Sequence, residues 1–452
     1  MGNRLFGTDG VRGTAGEPPL DPETIARLGA ALVRVLPHKD HGRILVGRDT
    51  RESGAWIEQA LARGIRSESA NLVSAGVIPT PGVAYLTRSM DFDAGVVISA
   101  SHNPFQDNGI KVFSGRGEKF DEAREAQIEA LIHDASFTVD TTHDVAVDQQ
   151  HDLVAAYARH QREVLPDAAP ILRGGAGRGT RIALDCANGA TTTVAPRLFR
   201  DLGFDVTVIG GEPDGRNINL HCGSTHPDKL QALVREDGYR LGVAFDGDGD
   251  RAILVDHAGN LVDGDAVMLM CAKHMQAQRR LRGNAVVATV MSNIGLELAL
   301  RALGIELVRA PVGDKYVMEE IIKRDLSLGG EQSGHVIFSD YLFTGDGITT
   351  ALSVLRTMVE TGKELAELAA DLKTFPQVLV NVRVKEKREL KSVPDVAAVL
   401  QRIEQRLDGQ GRLLVRYSGT EPLLRIMIEG QDQHEIQTWA NEIADVVRRT
   451  LA

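Results

Sequence analysis

The chain has 452 residues, 43% hydrophobic and 25% charged, the balance of a soluble globular protein with room for about three domains. That composition excludes a disordered or coiled-coil protein, and a net charge of −11 without any Lys/Arg-rich run excludes a nucleic-acid binder. No apolar run approaches the roughly 18 residues of a membrane span, and Cys186, Cys222 and Cys271 lack metal-ligand or disulfide spacing. With no apolar signal core in the first ten residues, a reducing cytoplasm is the expected location. The expected partner is a small molecule, with no membrane or nucleic acid, and monomer and homodimer both left open.

Asp21-Pro22-Glu23 opens a helix, with an Asp cap, Pro at the first helical position and acid in the first turn. Ile25, Leu28, Leu32 and Val35 continue it at helical spacing. The apolar run 43–47 then reads as a buried strand, followed by a helix at 56–65, a strand at 70–74, and a strand at 94–98 that delivers a polar loop. The order recurs with strand 181–185, helix 193–202, strand 205–209, and strand 241–245 feeding a second polar loop. A third pass uses strand 285–290, helix 294–303, strand 305–308 and strand 326–330. Short apolar strands alternating with helices predict α/β units. From about Thr374 the pattern changes to strand 378–384, helix 393–407, strands 413–415 and 424–428, and a terminal helix from Glu435 carrying Ile436, Trp439, Ile443 and Val446 on one stripe. The expected fold is α/β: three similar mixed α/β domains (1–153, 154–256, 257–373) around a central cleft, plus a smaller C-terminal α+β domain at 374–452.

Four loops carry the chemistry. Ser99-Ala100-Ser101-His102-Asn103-Pro104 follows the strand at 94–98, with Lys111 shortly after. A hydroxyl there is an accessible phosphoryl acceptor if cations or a metal adjoin it, and a plain Ser/Asn/Pro turn if they do not. It lacks the Gly-x-Ser-x-Gly elbow of an acyl-transfer serine. Asp246-Gly247-Asp248-Gly249-Asp250-Arg251 sets three carboxylates at alternate positions, which repel one another unless a cation sits among them. Hard oxygen donors suit Mg²⁺ or Ca²⁺. A Ca²⁺ helix-loop-helix would need Gly and Glu at its sixth and twelfth positions, where Arg251 and His257 stand.

Gly330-Glu331-Gln332-Ser333-Gly334-His335 offers groups for sugar hydroxyls and a possible acid/base, although a turn with a surface His reads the same way. Arg416-Tyr417-Ser418-Gly419-Thr420-Glu421-Pro422, with Arg425 following, is a phosphate cradle or an ordinary hairpin turn. Gly7-Thr8-Asp9-Gly10-Val11-Arg12-Gly13 is a further Gly-rich turn with one cation and no P-loop pattern.

Together and in this order the loops resemble the α-D-phosphohexomutase superfamily over essentially the whole chain. Phe6 to Gly13, Ser-Ala-Ser-His-Asn-Pro, Cys222-Gly223-Ser224-Thr225-His226-Pro227, Val312-Gly313-Asp314 and Gly330-Glu331-Gln332-Ser333 are most similar to its glucosamine-phosphate members, with Lys315 and Leu423 as small departures. The resemblance implies an isomerase that interconverts glucosamine 6-phosphate and glucosamine 1-phosphate, ahead of UDP-N-acetylglucosamine and cell-wall precursor synthesis. Ser101 would be the phosphoserine that carries the phosphoryl group, and glucosamine 1,6-bisphosphate the intermediate and activator. Ser101, Asp246, Asp248 and Asp250 would bind Mg²⁺; Glu331 and Ser333 would select sugar hydroxyls. Arg416, Ser418, Gly419, Thr420 and Arg425 would hold the distal phosphate, and Arg12, His102, Lys111, Arg251 and His335 would surround the reacting one. Three other readings compete: a phosphomannomutase/phosphoglucomutase, a metal-dependent phosphatase with Asp246 as nucleophile, and a catalytically dead sugar-phosphate sensor.

Overall fold

A computed structural model of the chain describes residues 5–7, 9–37, 42–134, 136–139, 145–165, 180–418 and 422–451. The chain divides into two compact units, Met1–Met291 with Ile305–Asp371, and Ser292–Gly304 with Leu372–Ala452.

The larger unit holds three sheets. The first runs Phe6–Gly7, Gly10–Thr14, Asp107–Ser114, Ala94–Ile98, Arg43–Arg48, Asn71–Val77, Asp148–Gln149; its last four strands are parallel and Asp107–Ser114 reverses against Ala94–Ile98. The second runs Leu261–Val262, Ala252–Asp256, Leu241–Phe245, Arg181–Asp185, Asp205–Ile209, and the third Glu306–Ala310, Ala285–Thr289, Leu328–Gly330, Val336–Phe338. In each sheet a strand paired in parallel on one side turns through a short polar loop into an antiparallel neighbour on the other. Three of the four loops singled out in the sequence therefore occupy one equivalent place, the carboxyl end of a buried strand, where open α/β sheets gather ligands. Ala94–Ile98 and Leu241–Phe245 are buried at every residue. Their unbroken apolar runs fit strands covered on both faces.

The first helix is Pro22–Val35, and Asp21 Oδ1 caps it by accepting the Thr24 N–H at 3.0 Å. It packs closely on the helix Gly54–Ser67: a Cβ at Gly64 would lie 1.8 Å from the Ala26 carbonyl oxygen, so this approach depends on glycine. The helix expected at 193–202 is interrupted. A 3-10 turn covers Ala190–Thr193, and the regular helix is Ala195–Asp201 with Pro196 in its first turn. Proline lacks the amide that would tie it back to the preceding turn, so it favours a fresh start. No helix of the described residues is long and apolar enough to cross a membrane.

The smaller unit is an antiparallel sheet in the order Gln377–Arg383, Leu423–Glu429, Arg412–Tyr417, packed against the helices Pro394–Leu407 and Gln433–Leu451. Ile436 and Ile443 are buried in its core, with Trp439 and Val446 on the rim of the same stripe. The helix expected in the third α/β pass is present as Ile294–Ala302, but it belongs here. Its cap, Asn293, accepts the Phe375 N–H at 3.0 Å and donates to the Phe375 carbonyl at 2.9 Å. Helical periodicity locates an apolar face without naming the neighbour that will cover it.

Candidate active site

Ser101 sits at the tip of the first loop with φ of 51° and 1% exposure. A left-handed backbone is strained for a non-glycine residue, and here the surroundings hold it. Arg51 Nη2 and Asn219 Nδ2 donate to the Ser101 carbonyl at 3.0 and 2.8 Å, and the Ser101 N–H donates to Ser99 Oγ at 2.9 Å. Arg51 is itself fully buried, paired to Asp49 at 2.9 Å and donating to the carbonyls of Asn103 and Pro104. Ser99 Oγ closes the frame by donating to Asp49 Oδ2 at 2.6 Å. The frame turns the Ser101 hydroxyl toward the second loop, where it donates to Asp246 Oδ2 at 2.5 Å. Gly247 permits the approach, since a Cβ there would lie 2.6 Å from the Ser101 carbonyl oxygen.

Asp246, Asp248 and Asp250 are buried, with one oxygen of each within 4.8 Å of the others. Lys111, also buried, places Nζ 2.9 Å from Asp248 Oδ2, 3.5 Å from Asp250 Oδ2 and 3.1 Å from Asp9 Oδ2. Thr80 Oγ1 donates to Asp248 Oδ2 at 2.7 Å. Burial, then the neighbouring Asp250 and Asp248, push the Asp246 carboxyl well above its ordinary pKa. Burial also works against ionised Asp250, but Lys111 and His335 outweigh it and hold that carboxyl well below the usual range. Asp248 Oδ1 and Asp250 Oδ1 are buried oxygens without a hydrogen-bond partner. Hard donors in excess of the nearby cations, two of them unsatisfied, fit a divalent cation of the Mg²⁺ type.

Beside the cluster lies a cavity of about 430 Å³ lined by Asp9, Arg12, Asp250, Arg251, Asp314 and Glu331, with His102 and His335 also on its wall. Arg251 Nη1 lies 3.2 Å from His102 Nδ1, and the Ser101 Oγ lies 3.3 Å from the same nitrogen. Burial, then Arg251 and Arg12, lower the His102 pKa, so this ring is neutral near pH 7. Burial opposes charge on His335, but Asp250 outweighs it and raises the imidazole pKa. His335 Nε2 accepts the Gly345 N–H at 3.0 Å, and Nδ1 lies 3.6 Å from Asp250 Oδ2. Glu331 Oε1 accepts the Gly313 N–H and Oε2 accepts the Ser333 hydroxyl, both at 3.3 Å. Lys111 is not on the cavity wall; its ammonium is committed to the carboxylates beneath.

In the smaller unit Arg416 stands directly opposite Arg425 in the antiparallel ladder. Like charges so placed repel, and an anion between them relieves the repulsion. The Ser418 N–H donates to the Leu423 carbonyl at 2.8 Å, while the Ser418 carbonyl accepts from Lys387 Nζ at 2.6 Å. Gly419 and Thr420 lie outside the described residues.

Several groups escaped the sequence reading. Asp9 and Asp314 are bridged by the buried Lys119 ammonium, and Asp9 also receives Arg12 Nη2 at 2.5 Å. The Asp49–Arg51 frame, Thr80, Asn219 and Lys387 were missed as well. Asp49 and Arg51 stand just after a predicted strand, which is a signal of position; Lys119 has no local signal.

Four sequence profiles of the phosphoglucomutase/phosphomannomutase family match in succession: α/β/α domain I at residues 3–139, domain II at 158–259, domain III at 263–375 and the C-terminal domain at 379–446. A phosphoglucosamine mutase of Solibacter usitatus is 48% identical over 452 residues, covering 100% of both chains. One from Geobacter sp. strain M21 is 47% identical over 99% of this chain and 98% of its own. Among solved structures, a putative phosphomannomutase from Thermus thermophilus shares the fold with a TM-score of 0.78 at 24% identity, covering 99% of this chain and 100% of that one.

Proposed function

The chain belongs to the phosphoglucomutase/phosphomannomutase family, within it to the phosphoglucosamine mutases, and on that premise we propose that it interconverts glucosamine 6-phosphate and glucosamine 1-phosphate through a phosphoserine at Ser101. The observation that carries this reading is the Ser101 hydroxyl, strained, framed and 2.5 Å from Asp246 in a buried three-carboxylate cluster. A serine so placed has little use in a sensor. The phosphatase reading needs a free Asp246 nucleophile, whereas this carboxylate already accepts from the Ser101 hydroxyl and the Arg251 N–H.

In the proposed cycle the phosphoryl group leaves Ser101 Oγ for O1 of glucosamine 6-phosphate. The resulting 1,6-bisphosphate reverses its ends while retained, and its 6-phosphoryl group returns to Ser101, releasing glucosamine 1-phosphate. Added glucosamine 1,6-bisphosphate would charge an empty Ser101, making it the activator. Positioning and electrostatic stabilisation supply most of phosphoryl-transfer catalysis. Arg12 and Arg251 would offer guanidinium donors to the reacting phosphoryl, with His102 and His335 as its nearest imidazoles. Lys111 would keep Asp248 and Asp250 ionised and in place. Ser101, Asp246, Asp248 and Asp250 would hold Mg²⁺, which when bound neutralises phosphoryl charge. Glu331 and Ser333 would take sugar hydroxyls. Arg416, Ser418, Gly419, Thr420 and Arg425 would grip the phosphate that is not reacting, and Lys387, from the segment after Gln377–Arg383, would bring a further cation against that loop. The division in chain order at 1–153, 154–256, 257–373 and 374–452, with the helix Ile294–Ala302 of the third segment packed into the smaller unit, and the cytoplasmic location are part of the same proposal.

Turnover compared on glucosamine, glucose and mannose 6-phosphates tests the assignment. Glucosamine 6-phosphate is expected to be the best substrate, and a preference for mannose would overturn it.

A further inference from the structure

Four carboxylates line the cavity that is to receive a doubly negative sugar phosphate: Asp9, Asp250, Asp314 and Glu331. So much negative charge facing an anion needs a reason. Asp9 is committed to three cations, Lys111, Lys119 and Arg12. Asp250 belongs to the metal cluster and pairs with Lys111. Glu331 stands beside Ser333 in the loop suited to sugar hydroxyls.

Asp314 shares the Lys119 ammonium with Asp9, a pairing that engages one of its two oxygens. Its Oδ2 meets the Lys119 ammonium and lies 3.7 Å from His335 Nε2, while Oδ1 accepts, among the described residues, only the Lys315 N–H at 2.8 Å. An ionised carboxylate has about four lone-pair sites, so this one keeps acceptor capacity. The amino sugar brings one cation into the cavity, the ammonium at C2, and its ring neighbour is the hydroxyl at C3. Asp314 is correspondingly the neighbour of Glu331 on the wall, because Glu331 Oε1 holds the N–H of the residue before it, Gly313.

We infer that Asp314 is the specificity-determining residue for the C2 substituent, its carboxylate receiving the 2-ammonium while Glu331 holds the adjoining hydroxyl. Lys119 offsets the charge of both Asp314 and Asp9. This rests on the glucosamine-phosphate reading above and adds the group that separates the amino sugar from glucose, which differs only at C2.

The test compares glucosamine 6-phosphate with glucose 6-phosphate, by kcat/KM with the matching bisphosphate and by calorimetric Kd on the full-length dephosphorylated enzyme. Wild type is expected to bind the amino sugar at least about tenfold tighter, the scale of one charge-assisted hydrogen bond. Asp314→Asn should reduce that preference to within about threefold by weakening glucosamine 6-phosphate alone. Lys119→Met, which breaks the same ion pair but keeps the carboxylate, should weaken both ligands together and leave the preference intact. Equal affinity of wild type for the two sugars overturns the inference, even if the variants fail to fold. So does an Asp314→Asn enzyme that loses both sugars in parallel, which marks a structural role. A wild type that turns over neither form of glucosamine phosphate instead overturns the proposed function, whatever the binding preference.

Discussion

In the larger unit Asp246, Asp248 and Asp250 are 1%, 1% and 4% exposed, and protein groups fix several of their oxygens. In the smaller unit Arg416 is exposed and Arg425 half-buried, two cations facing each other across a ladder whose outer strand, Arg412–Tyr417, is an edge. The first arrangement places charge out of water, where each group needs a partner and the geometry is set before a ligand arrives. The second keeps Arg416 in water, where a charge gains little until an anion meets it. Buried charge of this kind suits bond making and breaking, and open charge suits a grip that must be released in every cycle.

Four perturbations break or sharpen that contrast. Ser101→Ala should lower mutase kcat by roughly four orders of magnitude or more, as loss of a covalent group does, while circular dichroism and melting stay near wild type. Activity within tenfold of wild type would remove the serine from the chemistry. Arg51→Met should destabilise the protein by about 3–5 kcal/mol, because it leaves Asp49 as an uncompensated buried charge, and chemical denaturation reads this directly. Mg²⁺ at a hundredfold its Kd should add about 2.7 kcal/mol of stability over the chelated protein, seen as a rise in Tm that Asp248→Asn diminishes. Arg416→Ala should leave the Tm unmoved and weaken phosphosugar KM by about 1.5–3 kcal/mol, or roughly tenfold to a hundredfold. An unchanged KM would detach the smaller unit from substrate binding.

The same contrast separates what was legible in the sequence from what was not. Ser101 and the three aspartates are read from a few consecutive residues after an apolar strand, because loop chemistry is local and the strand fixes where the loop emerges. The Arg51 frame is only half legible: its Asp49 partner lies two residues away, but the carbonyls it clamps lie 50 to 53 residues on. The Lys119 bridge joins Asp9 and Asp314, residues separated by 110 and 195 positions from the lysine, and no periodicity encodes such a meeting. The helix Ile294–Ala302 shows the same limit for packing, since its apolar face was evident and its assignment to the smaller unit was not.

The measurement that bears most directly on the central claim is phosphopeptide mapping by mass spectrometry after incubation with glucosamine 1,6-bisphosphate and Mg²⁺. One phosphoryl group on Ser101, still present after added glucosamine 6-phosphate has been turned over because each cycle returns it, is the predicted result. Covalent phosphate on Asp246 with Ser101 unmodified would contradict it.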